Sequence, residues 1–173
     1  MKPVRLVPVG EVDRHLLEAA RRALVIELRA PCRDALRPLD PEFAFRPERG
    51  QYHATVMVEK LAELGSKSEL TVGVSAVDIF MPVLTFVFGE AQLGGYAAIV
   101  SYHRLRQSFY GLPDDDALTA RRLGKEVVHE AGHILGLTHC DDYECVMASS
   151  HAVEWLDIKS SAFCEYCRVF QHS

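Results

Sequence analysis

Apolar residues fall along this chain in short runs whose period changes several times. Val4 to Val9, rich in Val and Leu, predicts a first strand. Leu16, Leu17, Ala20 and Leu24 recur at helical spacing and predict a helix over residues 11–24. Residues 25–29 alternate and predict a second strand. Four prolines in residues 31–50 read as a long surface connection. Ala54, Met57, Val58, Leu61 and Leu64 share one face of a second helix over residues 52–64, which Gly65 stops. Residues 70–77 predict a third strand. Residues 84–88 and 96–102 predict two more, joined by a short glycine-containing connection that suggests a hairpin or bulge.

Asp114, Asp115 and Asp116 offer capping carboxylates for a long helix running to Leu135 and ended by Gly136. Beyond it the chain is cysteine-bearing and irregular, with one helical candidate over residues 158–164. Strands alternating with helices predict an α/β sandwich with a mostly parallel sheet.

Bulk properties narrow the partners. At 173 residues the chain fits one domain that buries roughly 70% of its unfolded surface. A net charge of −5 gives no basic face for nucleic acid. No apolar run is long enough for a membrane span. Residues 1–10 carry Pro3 and Pro8 and lack a signal-peptide core, so a cytoplasmic protein made in its final form is expected, with a monomer as the simplest state.

The chemistry concentrates in H-E-A-G-H-I-L-G-L-T-H-C, beginning at His129. On a helix of 3.6 residues per turn, His129 and His133 lie one turn apart on one face and can reach a single metal. Gly136 can adopt a left-handed backbone and swing His139 back as third ligand. Three protein ligands leave a fourth position open, which marks a catalytic rather than a structural zinc. Glu130, offset by one residue, reaches water beside the metal without ligating it and reads as general base. Glu154 competes for third ligand, since some H-E-x-x-H enzymes use a Glu about twenty residues downstream. His139 is preferred because the glycine turn delivers it directly.

Cys140, Cys145, Cys164 and Cys167 read as C-x4-C and C-x2-C, two short-spaced pairs suited to a closed tetrahedral zinc site. Disulfide or redox use is the other reading of the quartet. Because His139 and Cys140 are neighbours, two zinc ions per chain are expected within roughly 15 Å of each other. Cys32 reads as a buried, inert thiol.

H-E-x-x-H-x-x-G-x-x-H followed by a nearby Met resembles the metzincin metalloproteases. The C-x4-C-x-M and the distal C-x2-C narrow that resemblance to the archaemetzincins. V-F-G-E-A at residues 87–91 and S-Y-H-R-L at residues 101–105 also look like that family, so the resemblance covers nearly the whole chain. It implies a three-layer sandwich with a twisted, mostly parallel sheet, an antiparallel edge strand, a long active-site helix and a small zinc-bound C-terminal subdomain. Residues 1–136 and 137–173 would form the two parts of one metalloprotease domain. By the same resemblance His129, His133 and His139 match the catalytic zinc ligands, Glu130 the general base, and the four cysteines the second zinc. Met147 matches the Met-turn beneath the catalytic zinc; from the residues alone it could equally be core filler. The family also implies an edge strand that pairs with extended peptide substrate, for which residues 84–88 are the candidate. The short C-terminal part implies a shallow cleft on one side.

Other residues carry weaker signals. His15, His53, His103, His151 and His172 lack ligand spacing and read as surface or packing residues, with His151 near enough to Met147 to border a cleft. Arg104, Arg106, Arg121 and Arg122 read as a solvated face, with substrate-carboxylate binding as the other reading. Trp155 and Phe163 are expected to pack over the cysteine site, and Tyr143 has no assigned role. The leading expectation is a zinc-dependent peptidase acting on peptides or proteins. The alternative is a two-zinc partner-binding protein with an idle catalytic site. A zinc hydrolase of RNA processing has H-G-x-x-H-x-x-G-x-x-H, which lacks both the Glu and the cysteine quartet.

Overall fold

The computed structural model describes residues 2–170. In chain order the elements are β1 (Val4–Val9), α1 (Arg14–Leu28), β2 (Cys32–Asp34), β3 (Phe45–Arg46), β4 (Gln51–His53), α2 (Ala54–Leu64), β5 (Leu70–Ser75), β6 (Ile79–Phe80), β7 (Gly89–Ala91), β8 (Ala97–Ser101), α3 (Asp116–Ile134), α4 (Val153–Ile158) and α5 (Glu165–Phe170). Five strands form a sheet in the order β2-β1-β5-β8-β7. The first four run parallel, and β7 closes the edge antiparallel to β8. A second, small sheet pairs β3, β4 and β6.

Strand alternation builds three layers. Val4, Leu6, Val72, Val74, Ala98 and Val100 point to one face and pack against Leu16, Leu24, Leu123 and Val127 of α1 and α3. Val7, Val9, Ala97 and Ile99 point to the other and pack against Met57, Val58 and Leu61 of α2. The expected α/β sandwich with a mostly parallel sheet and an antiparallel edge is thus the observed architecture. Gly73, in the middle of β5, lets α2 settle onto the sheet. A Cβ there would lie 2.6 Å from the Leu61 Cδ1 and 2.8 Å from the Ile99 Cδ1.

Three predicted elements differ from those observed. The strand predicted over residues 25–29 is the last turn of α1. Leu24 and Leu28, four apart, are both buried, while Val25 and Ile26 are exposed, so the helical period wins over β-branched composition. The strand predicted over residues 84–88 is an irregular segment. Its Leu84 and Thr85 carbonyls accept side-chain hydrogen bonds from Arg49 and Gln51 instead of a ladder, and the edge strand begins at Gly89. The helix predicted over residues 158–164 falls between α4 and α5. There Ser160 donates to the Glu144 carbonyl, and Ala162 accepts from the Val146 amide, so the backbone is tied to the preceding loop. The long connection over residues 31–50 contains β2, β3 and a 3-10 turn (Glu42–Ala44). His172 lies outside the described residues.

Cys32 sits half-buried in β2, where burial pushes its thiol up to about 11, in keeping with an inert residue. Of the four arginines, Arg104 is paired with Asp78, Arg106 with Asp13 and Arg122 with Asp157. Gly73→Ala should destabilise the fold by about 1–3 kcal/mol in a urea titration, since the Leu61 and Ile99 methyls have to give way.

Candidate active site and metal centres

The long helix α3 starts at Asp115, whose carboxylate accepts from the Leu118 amide at 2.8 Å. It ends in a left-handed turn: Gly136 has φ 93, its amide donates to the His133 carbonyl, and the Leu137 amide donates to the Gly132 carbonyl. The turn reverses the chain within three residues and places His139 opposite the helix. Ring centroids are then 4.6 Å apart for His129 and His133, 5.3 Å for His129 and His139, and 5.0 Å for His133 and His139. One ligand nitrogen from each histidine lies within 4.8 Å of the others.

Backbone carbonyls set the orientation of two of these rings. His129 Nδ1 donates to the Val146 carbonyl at 2.8 Å, and His133 Nδ1 to the Leu137 carbonyl at 2.7 Å. Each bond places the proton on Nδ1 and leaves an Nε2 lone pair facing inward. The two Nε2 atoms stand 3.1 Å apart with no proton between them to share, an arrangement that calls for a cation. Burial lowers the proton affinity of all three imidazoles, most of all His129. This donor set fits zinc.

The cysteine quartet converges as well. The four sulfurs lie within 4.8 Å of one another, and Cys140 and Cys164 Sγ are 3.8 Å apart. That is far beyond a disulfide bond, about 2.05 Å, and close to the roughly 3.8 Å edge of a tetrahedron with 2.3 Å zinc–sulfur bonds. The Met147 and Cys164 amides point at Cys145 Sγ from 3.4 and 3.3 Å, as suits a thiolate. The Cys140 amide donates to the Met147 carbonyl at 3.1 Å, so the third histidine, the cysteine site and the methionine turn share one piece of backbone.

Met147 is fully buried beneath α3. Gly132, inside the H-E-x-x-H segment, makes this approach possible, because a Cβ there would run into the Met147 sulfur and press on Phe163. Phe163 is buried beside Gly132 and Met147, while Trp155, expected with it over the cysteine site, is 54% exposed, and Tyr143 is mostly exposed. Glu154 is exposed on α4 and belongs to neither ligand cluster among the described residues.

Glu130 is buried, and burial, reinforced by Glu126, raises its carboxyl well above the usual range. Gly89 of the edge strand sits against it: a Cβ at Gly89 would lie 2.7 Å from Glu130 Oε1. Both residues face a cleft of about 520 Å³, lined also by Met81, Leu84, Phe86 and His151. Two charged residues went unnoticed in the sequence. Glu126 lies one turn ahead of Glu130 on the same helix face, a spacing that could have signalled it. Lys159 is 2% exposed; its ammonium is 3.1 Å from the Ala148 carbonyl, 3.4 Å from His129 Nδ1 and 4.0 Å from Glu126 Oε2. No local pattern around Lys159 could have revealed it.

A model of peptidase family M54 matches residues 26–171. The archaemetzincin of Methanocaldococcus jannaschii is 37% identical over 92% of this chain and 87% of its own length. That of Thermococcus kodakarensis is 34% identical over 96% of this chain and 94% of its own. Among solved structures, a zinc-dependent peptidase from Methanocorpusculum labreanum superposes with a TM-score of 0.89 at 31% identity, covering 97% of this chain and 99% of that one. Archaemetzincin from Archaeoglobus fulgidus, complexed with malonate, gives 0.83 at 32% identity over 97% and 99%. Nothing in these relatives supports the alternative of an idle partner-binding protein. Replacing Gly132 with Ala should cost about 1–3 kcal/mol in chemical denaturation, through displacement of Met147.

Proposed function

The chain belongs to peptidase family M54, the archaemetzincins, and as a zinc metalloprotease we propose that it cleaves peptide bonds with Glu130 as general base and His129, His133 and His139 as catalytic zinc ligands. Cys140, Cys145, Cys164 and Cys167 hold a second, structural zinc in this reading, making two per chain. Met147 supports the catalytic site from below. The observation that carries the proposal is three imidazole nitrogens converging beside a buried carboxylate.

A zinc ion held there supplies the Lewis acidity that activates water at neutral pH and polarises the scissile carbonyl. The protein's own groups do the rest. Glu130, made basic by burial, takes a proton from the attacking water and returns it to the leaving amine. Gly89 lets the edge strand approach that carboxylate without a side chain in the way. The Phe88 carbonyl and Gln92 amide pair with β8, so the alternation of an antiparallel ladder leaves the Gly89 and Ala91 backbone groups on the open edge. An extended peptide adds to that edge, taking the role first expected of residues 84–88.

The division into residues 1–136 and 137–173 is part of the same proposal, supported by the sharp turn at Gly136. No described helix is long and apolar enough to cross a membrane. A demanding cleft that spares unfolded casein is the expected restraint on activity; rapid casein cleavage would overturn it.

Zinc content per chain and hydrolysis of a mixed peptide library test the central claim. Two zinc ions, with cleavage that Glu130→Ala lowers by roughly 100-fold or more, are expected. Cleavage undiminished in the variant would remove Glu130 from the mechanism. Cys164→Ala should lose its own zinc and also weaken zinc retention by the histidines, because Cys140 anchors His139 through the Met147 carbonyl. Full zinc at the histidines in that variant would separate the two sites.

A further inference from the structure

We infer that His151 is a further catalytic residue, whose ring N–H donates a hydrogen bond to the substrate carbonyl oxygen as that oxygen gains negative charge. This rests on the peptidase reading above.

The reaction calls for such a donor. As water adds to the scissile carbonyl, a new C–O bond forms, the π pair moves onto the carbonyl oxygen, and Glu130 takes the water proton. A donor already aimed at that oxygen stabilises the new charge without giving up its own proton. Side chains able to do this are few. Among the described residues that line the cleft, none is lysine, arginine, tyrosine, tryptophan, asparagine or glutamine. His129, His133 and His139 are committed as ligands in the proposed reading. Ser150 Oγ is buried and has no access to the open cleft. Thr85, Ser149 and His151 remain.

Three observations single out His151. The Cys140 amide bonds to the Met147 carbonyl, so the loop that carries residues 147–151 starts beside the third histidine. Burial, Lys159 and His151 all push the His139 imidazole down, which places the His151 ring within electrostatic reach of it. Yet His151 stands outside the three-histidine ligand cluster, so its nitrogens are not spent on a metal. The ring is also exposed to the cleft and oriented by a neighbour: Ser149 Oγ lies 3.3 Å from His151 Nε2. With the Ser149 hydroxyl donating, Nε2 is the acceptor and the proton sits on Nδ1, free to donate to substrate.

A phosphinic pseudopeptide mimics the charged, tetrahedral carbon centre, whereas a reduced-amide pseudopeptide of the same sequence has no oxygen there. Affinity selection from a phosphinic library on the zinc-loaded protein supplies the tightest member, and calorimetry compares it with its reduced-amide counterpart. His151→Ala should weaken the phosphinic ligand by about 100-fold, the usual loss for one such donor, and leave the reduced-amide ligand and the zinc content unchanged. For any peptide that is cleaved, kcat should fall by a similar factor with KM little altered. His151→Gln, which keeps an N–H donor, should recover part of both losses. Unchanged phosphinic affinity in His151→Ala, equal weakening of both ligands, loss of zinc, or retention of no phosphinic member by the wild type would overturn the assignment. Cleavage that ignores His151 would overturn it while the peptidase reading stands. A phosphinic preference that depends on His151, with no turnover of any peptide, would count against the peptidase reading and leave the donor in place.

Discussion

The hydrogen bond from His129 Nδ1 to the Val146 carbonyl ties the active-site helix to the loop that follows it. A histidine can offer a metal a lone pair only from the nitrogen that carries no proton, so the partner of Nδ1 decides what Nε2 does. Here that partner is a backbone carbonyl one residue before Met147. The same loop passes through Cys145, whose sulfur belongs to the cysteine cluster, and its Met147 carbonyl receives the Cys140 amide. Helix, third histidine, methionine turn and cysteine cluster are therefore one mechanical unit. A metal held by the cysteine cluster, as proposed, would clamp this loop onto the core that Val146, Met147 and Phe163 share with α3.

Small residues make the unit compact. Gly132 lets the Met147 sulfur reach the underside of α3, and Gly89 lets the edge strand reach Glu130 from the other side. Both are positions where a side chain would collide with a close neighbour, the Met147 sulfur or the Glu130 carboxylate. Gly136 serves differently: its φ of 93 lies in the left-handed region that turns the chain toward His139.

Charge is concentrated beneath the cleft. Glu126, Glu130 and Lys159 are all nearly inaccessible to solvent. Burial raises both carboxyls and lowers the lysine, each toward its neutral form, and the attraction between them opposes that drift. The result is a set of buried charges packed beneath the cleft, with the Lys159 ammonium 4.0 Å from Glu126 Oε2.

Local pattern determined much of this protein. The 3.6 period of α3, its Asp cap, the glycine stop and the ligand spacings at His129, His133 and His139 are short-range features, readable because each depends on a few neighbouring residues. The alternation of strand runs with helical runs made the parallel sheet legible in the same way. Errors came where tertiary context overrode composition: Val25 and Ile26 look like strand but extend α1, and residues 84–88 look like strand but give their carbonyls to Arg49 and Gln51. Only the folded structure decided that Lys159, thirty residues beyond His129, lies against it and beside the buried Glu126. Sequence spacing carries information within one turn or one strand. The burial of a charge depends on every element packed around it, and that is settled only when the chain has closed on itself.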